Sequence, residues 1–308
     1  MTKICVNPLD VKSKVRPGSI PVSLRTGAVM LWLLVFSATS TASDAGFFRA
    51  AEDSLKALSI AIIEPPDDGG RMERNQQFRA YFETVLMQDT AMAWPFDSLQ
   101  AVAIQTDPGH SFRIITWYVP LSGGRFRYFG WVQTAANVQE GNRLYPLQDQ
   151  TQMIQSPGFQ ALGPENWYGA WYYKLIHSRH QGQDFYTLLG WKGDNPLTRK
   201  RVIEPFALGA DGPVFGAPVF DAGATPRHRI IFEYSARVAM GLNYEIHPPK
   251  PGQRPQPMIV FDRLAPTHES LRGHFQHYMP EVNIFDAFVF EEGRWRFIRD
   301  VDARSSRQ

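Results

Sequence analysis

Residues 167–206 constrain the fold of this chain more than any other stretch, because aromatic and β-branched residues recur there at strand spacing (WYGAWYYKLIHSRHQGQDFYTLLGWKGDNPLTRKRVIEPF). Gly, Asp, Asn and Pro interrupt the run, which is typical of strands joined by turns. Trp171 and Tyr173 would point to one face of the first strand. We predict that 184–191 pairs back on 170–177 as a hairpin, and later parts of the chain repeat the pattern.

The first 43 residues carry the pattern of a secretory signal peptide. Four basic residues between positions 12 and 25 precede the apolar run 27–36, and small residues follow it. This order predicts cleavage after Ala42 or Ser43. The apolar run is about half of the ~20 residues that span a bilayer as a helix. We therefore expect a periplasmic or secreted protein, with an uncleaved anchor as the alternative because the basic region is long.

Cleavage of this leader would reverse the net charge. Residues 1–43 hold five Lys/Arg and one Asp, so that 32 − 5 = 27 basic and 30 − 1 = 29 acidic residues remain, a net charge of −2. A nucleic-acid partner is not expected, because such partners require a basic footprint. The only cysteine, Cys5, lies in the leader. The exported chain could form no disulfide, and its stability would depend on core burial.

The remainder of the chain falls into segments of different periodicity. They are a helical segment at 44–95, a β domain at 96–304 with a possible internal boundary near 149–166, and a disordered tail at 305–308. Within the helical segment, apolar residues at helical spacing predict helices over 45–64 and 71–88. Both helices are expected to pack on the sheet that follows.

Period-two alternation predicts about twelve short strands in the β domain. The thirteen candidate segments lie at 101–105, 112–118, 125–133, 142–147, 170–177, 184–191, 200–208, 214–220, 227–235, 238–247, 257–263, 285–290 and 294–301. Strands in unbroken series favour an antiparallel meander. We predict a mainly β (α+β) fold in which this meander curls into a sandwich or barrel-like body with two N-terminal helices packed on it. A small propeller-like arrangement is the alternative.

Residues 230–244 predict a second hairpin with one solvated face. Ile230, Phe232 and Tyr234 alternate with mostly polar residues, and the segment beginning at Val238 does the same. Such alternation is typical of an antiparallel pair with one face on the core. We also predict a closing hairpin that turns at Glu292 and Gly293.

The order of motifs YYKLI, FYTLLGWKGDN, RVIEPF, PVFG, RIIFEYSARVAMGLNYE, IVFDRLAP and FDAFVFEEGRW resembles a family of uncharacterised exported proteins from Gram-negative bacteria of the Bacteroidetes type. The resemblance covers roughly 96–304 and rests on strand motifs. It implies an envelope location. No activity is established for the family, so it assigns no functional residue.

Carboxylates inside apolar strands are the candidates for catalysis. Glu204, Glu233 and Asp262 lie in VIEPF, IFEYS and VFDRL. Burial would raise their pKa values and suit them to acid/base work. A structural ion pair is the alternative for each. The chain has no nucleophile elbow, Walker loop or dinucleotide motif, and no cofactor is expected.

Two histidines are the candidates for a metal site. If 267–278 formed a short helix, His274 and His277 would share a face, and Glu269 or Asp286 could complete a zinc site. Gly273 would interrupt that helix. The simpler expectation is that no metal binds.

Aromatic residues supply the candidate binding surface. Trp167, Tyr168, Trp171 and Trp191 could form an exposed platform that stacks on sugars or contacts a protein partner, with core packing as the alternative. We therefore expect an exported cell-envelope binding or scaffolding protein whose partner is an envelope protein or a glycan. A carboxylate-dependent hydrolase acting on glycan or envelope polymer is the alternative. Transport of a small ligand inside a closed barrel is a third hypothesis.

Overall fold

The computed structural model describes residues 27–135, 143–221, 223, 225–250 and 252–303. The predicted tail and most of the predicted leader lie outside the described residues. The chain forms two compact units, one ending at Gly46 and the other beginning at Phe47. Within the described part of the chain, no helix combines the length and the apolar character needed to cross a membrane.

Two helices precede the strands. They are α1 (Gly27–Ala61) and α2 (Asp68–Leu86). Pro65 and Pro66 separate them, because proline cannot continue helical hydrogen bonding. Asp67 caps α2 by accepting a hydrogen bond from the backbone N–H of Gly70 at 2.8 Å. Both predicted helices are confirmed, and α1 is continuous through the predicted cleavage site.

Fourteen strands follow in the described residues. They are β1 (Ala103–Thr106), β2 (Phe112–Leu121), β3 (Arg125–Thr134), β4 (Arg143–Gln148), β5 (Trp171–His180), β6 (Gln183–Gly193), β7 (Thr198–Gly209), β8 (Gly212–Phe215), β9 (Phe220–Asp221), β10 (Ile230–Ser235), β11 (Leu242–His247), β12 (Gln256–Pro266), β13 (Tyr278–Glu291) and β14 (Arg294–Val301). The strand predicted at 214–220 is divided, because Gly216 adopts a left-handed φ of 90° between β8 and β9.

The strands form three sheets. The first has the order β1-β2-β3-β4, the second has the order β10-β7-β6-β5 with β8 also on β7, and the third has the order β11-β12-β13-β14-β9. All pairs are antiparallel except β14 with β9. The predicted mainly β, antiparallel fold with two N-terminal helices is confirmed. The described sheets do not close into a barrel, and the body resembles a sandwich.

Three of the four hydrophobic cores of the described residues lie between the layers of the second unit. The first core lies between the helices and the first sheet, and it includes Phe82 and Trp117. The second core joins the first sheet to the second and includes Tyr172. The third joins the second sheet to the third and includes Phe261 and Trp295. This stacking buries apolar side chains on both faces of the first two sheets.

The hairpin predicted within 167–206 is confirmed. Trp171 of β5 pairs with Trp191 of β6. β5 ends at His180 and β6 begins at Gln183, so that only Gln181 and Gly182 form the turn. Both turn residues have positive φ, which matches the two-residue turn that suits strand twist. The predicted turn at Glu292 and Gly293 also has positive φ at both residues, and it joins β13 to β14.

The hairpin predicted over 230–244 is wrong. β10 pairs with β7 in the second sheet, whereas β11 pairs with β12 in the third. The connection between them is held by the second sheet, since the N–H of Ala236 donates to the carbonyl of Leu197 at 2.8 Å. Period-two alternation identifies which residues face a core but does not identify the partner strand.

Candidate ligand-binding groove

A cavity of about 730 Å³ lies between β10 of the second sheet and strands β12 to β14 of the third. Four phenylalanine rings form its floor, and we call this cavity the aromatic groove. They are Phe232, Phe261, Phe288 and Phe297. The volume falls in the range typical of sites for small molecules.

The four rings form a continuous series of contacts. Ring centroids are 4.6 Å apart between Phe232 and Phe261, and 5.5 Å apart between Phe261 and Phe288. The centroid of Phe297 lies 5.7 Å from that of Phe288. Phe261 and Phe288 are buried, whereas Phe297 is 43% exposed. The series therefore presents one ring at the surface that rests on a rigid apolar base.

The groove lies at an edge strand. Among the described strands, β10 is at the edge of the second sheet, and it lines the groove together with β12, β13 and β14. Phe261 of β12 is in register with Asp286 of β13, and Phe288 is in register with Phe297 of β14. Residues in register point to the same face. The third sheet thus directs rings and a carboxylate together toward β10.

An ion-paired cluster forms one rim of the groove. Arg263 forms two hydrogen bonds to the carboxylate of Asp286, and the one from Nε to Oδ2 is 2.9 Å long. Nη2 of Arg263 also donates to Oδ1 of Asp300 at 2.6 Å. These hydrogen bonds raise the pKa of Arg263 and keep it charged. The pairing of β12 with β13 contains a register shift at Arg263, and the pairing of β13 with β14 contains one at Asp286. Such bulges re-aim side chains toward sites.

A second ion pair and a lone arginine lie at the other end. Nη2 of Arg294 is 2.6 Å from Oδ1 of Asp221, and this contact lowers the pKa of Asp221. Arg227 also lines the groove, with its guanidinium 4.9 Å from the ring of Phe159. The rim therefore offers both hydrogen-bond donors and hydrogen-bond acceptors, and its positive and negative charges largely cancel. It suits a neutral polar ligand better than a charged one.

The structure does not bring the three predicted carboxylates together. Asp262 lines the aromatic groove, and its carboxylate accepts the N–H of Gly241 at 2.6 Å in a smaller neighbouring cavity. Glu233 lines a separate cavity of about 380 Å³ and is 3.5 Å from Lys200. Glu204 is fully buried against Arg229.

The buried Glu204 belongs to a hydrogen-bond chain through the second core. The indole N–H of Trp167 donates to the hydroxyl of Tyr172 at 3.0 Å, and that hydroxyl donates to Glu204. Burial and the charge of Glu204 raise the pKa of Tyr172 and keep its proton in place. Every partner is enclosed, so this chain organises the core rather than meeting a ligand.

The four predicted platform aromatics do not form an open surface. Trp167 and Tyr168 are buried, and Trp171 and Trp191 are partly exposed. Trp171 and Trp191 each contact Tyr118, so the rings pack between the first and second sheets. Core packing, the alternative raised for these residues, describes their surroundings.

The predicted histidine pair lies at one short turn. His274 precedes a 3-10 turn at Phe275–His277, and Gly273 adopts a positive φ of 87° that interrupts any longer helix. His274 and Glu233 line the same cavity. Across the described ranges there is no group of three or more His, Cys, Asp or Glu side chains arranged to hold a metal.

Three buried cations of the described residues escaped prediction from the sequence, and they are Arg113, Lys192 and Arg229. Nζ of Lys192 donates to the carbonyl oxygens of Tyr168 and Gly169 at 2.9 and 2.6 Å. Arg229 donates to the carbonyl of Phe215 at 3.2 Å. The position of Lys192 in the sequence indicated burial, because Lys192 shares a strand face with the buried Leu188. Each of the four groove phenylalanines lies in a strand whose side chains alternate between its two faces. The sequence does not reveal, however, which sheets face each other.

No known protein family, no curated protein and no solved structure matches this chain. The resemblance to exported Bacteroidetes-type proteins therefore stays a prediction.

Proposed function

We propose that this chain is an exported cell-envelope binding or scaffolding protein that holds a segment of neutral glycan in the aromatic groove. The observation that carries the proposal is the series of four phenylalanine rings, which ends in the exposed Phe297. Export follows from the leader pattern of residues 1–43.

The chemistry of the groove matches that of a sugar polymer. Apolar C–H faces of sugar rings stack on aromatic rings, and Phe297 offers such a ring at the surface. Sugar hydroxyls both donate and accept hydrogen bonds. Asp286 and Asp221 supply acceptors along the rim, and Arg263 and Arg227 supply donors. A ligand without charge leaves the existing ion pairs intact.

We do not propose hydrolysis by the predicted carboxylates Glu204, Glu233 and Asp262, because a glycosidase needs two carboxyl groups about 5–10 Å apart across one cleft. Glu204 and Glu233 lie on paired strands, and Glu233 is in register with Lys200. Glu204 lies four residues after Lys200 on β7, so Glu204 and Glu233 are offset by four residues. This offset places their carboxylates about 13 Å apart along the strand direction. Asp262 lies in the aromatic groove without either of them.

Isothermal titration calorimetry of the full chain with cellohexaose, xylohexaose and mannohexaose tests this proposal. We expect at least one of these neutral hexasaccharides to bind. We expect Phe297→Ala to weaken that binding about tenfold or more, equivalent to about 1.4 kcal/mol. Phe275→Ala is the matched control, because Phe275 is 41% exposed and lies outside the groove. Absence of binding by all three sugars, or equal loss in both variants, would contradict the proposal.

A further inference from the structure

A second groove follows the first sheet, on a different surface from the aromatic groove. Two cavities of about 460 and 410 Å³ share Arg127, Asp149 and Gln150 in their linings. They lie along β3, β4 and the segment that follows β4. Arginines from α2 and β3 line them, and we call the combined site the basic groove. These arginines are Arg79, Arg125 and Arg127.

Arg79 and Arg127 approach the same aromatic ring. Their guanidinium carbons lie 5.5 and 5.9 Å from the ring centroid of Phe129. Neither side chain makes a hydrogen bond or ion pair with any other residue that the structure describes. Burial lowers the pKa of Arg79, Glu83 partly offsets this, and the charge of Arg127 lowers the pKa further. Two like charges are thus held close together.

The acids in the basic groove are already engaged. Asp149 accepts the backbone N–H groups of Tyr128 and Thr151, each at 3.1 Å. Asp194 is paired with Lys200 at 3.0 Å. The fold therefore leaves the positive charge of Arg79 and Arg127 available to a ligand. An anion placed between two guanidinium groups would relieve their repulsion and accept forked hydrogen bonds.

We propose that the basic groove binds a carboxylate-bearing glycan, that is, a polymer containing uronic acid. Guanidinium groups match carboxylates in geometry. Side chains of Gln148, Gln150 and Gln152 supply amides for hydroxyl groups, and Phe126 supplies an apolar wall.

Carboxylates fit this site better than a chain of phosphates does. Asp149 and Asp194 line the groove beside the arginines. They repel a polymer with dense negative charge, whereas a uronic-acid polymer carries one charge on each sugar. The inference does not depend on the aromatic groove, which lies between the other two sheets.

Calorimetric titration of the full chain with hexagalacturonate tests the inference. We expect binding that weakens as salt rises, because exposed charges are screened. Arg79→Gln with Arg127→Gln should weaken it at least about tenfold. Arg74→Gln is the matched control, since Arg74 lies on the same helix, is exposed and donates a hydrogen bond to Gln77. Should the double variant unfold, Arg127→Gln alone, on the exposed surface of β3, should still weaken binding measurably.

The outcomes separate this site from the aromatic groove. Phe297→Ala should leave hexagalacturonate binding unchanged, and the arginine variants should leave neutral hexasaccharide binding unchanged. Failure of hexagalacturonate to bind, or equal loss in Arg74→Gln, would overturn the assignment of the site. Tighter binding of linear polyphosphate than of hexagalacturonate would overturn the proposed class of ligand.

Discussion

Arg229 and Glu204 form an ion pair in which neither side chain is exposed to solvent. The other oxygen of Glu204 accepts the hydroxyl of Tyr172, and the remaining donors of Arg229 reach backbone carbonyls, including that of Phe215. One of those carbonyls belongs to Pro157, in the long segment between β4 and β5. The pair therefore fixes an irregular segment onto the second sheet.

Arg229→Met should destabilise the protein strongly, because it leaves the charge of Glu204 buried without compensation. We expect the free energy of unfolding to fall by about 3–5 kcal/mol in urea denaturation. Arg272→Met is the control. Its ion pair with Glu269 is largely exposed, so its loss should cost less than about 1 kcal/mol. Equal effects of the two substitutions would mean that the buried pair contributes little.

Lys192 should make stability depend on pH. Burial lowers the pKa of Lys192 to about 8, from 10.5 in the unfolded chain. Between these values the unfolded state binds a proton that the folded state has released. The free energy of unfolding should therefore rise with pH in this window, by up to about 1.4 kcal/mol per pH unit.

Urea denaturation of the native protein and of Lys192→Met from pH 7.5 to 9.5 measures this effect. Subtraction of the two curves removes the contributions of other groups. We expect the stability of the native protein relative to Lys192→Met to increase with pH. A difference that stays flat over this range would show that Lys192 remains protonated in the fold.

Asn75 and Trp117 should be energetically coupled across the interface between α2 and the first sheet. The indole N–H of Trp117 donates to Oδ1 of Asn75 at 2.8 Å, and both residues are buried. Trp117→Phe removes the donor, and we expect a loss of about 1–3 kcal/mol. Asn75→Leu in the same chain should recover part of that loss. Additive effects in this double-mutant cycle would argue against the coupling.

The sequence predicts the strands well because their signal is local. Alternation of apolar and polar residues, as in 167–206, depends only on which face of a strand meets a core. Strand partners depend on long-range packing instead. β9, which contains Phe220, belongs to the third sheet. β10, which contains Phe232 and follows β9 in the chain, belongs to the second sheet, so the order of the strands in the chain does not predict their sheets.

The candidate site was less predictable for the same reason. Asp262 was identified as an acid in an apolar strand, and the structure places it in the aromatic groove. The rings that form the floor look like ordinary core residues in the sequence. Phe288 is buried and Phe297 is exposed, a difference that depends on which neighbouring strands cover each ring. No local pattern carries that information.

Protection of a single thiol tests the central claim, that a glycan occupies the aromatic groove, most directly. In a Cys5→Ser background, Leu264→Cys places a thiol in the groove, and Leu197→Cys places one on an exposed surface elsewhere. A neutral hexasaccharide that binds in calorimetry should slow maleimide labelling of the groove thiol about tenfold at a free concentration of about ten times Kd. The thiol at 197 should be unaffected. Undiminished labelling at 264 with saturating sugar would contradict the account.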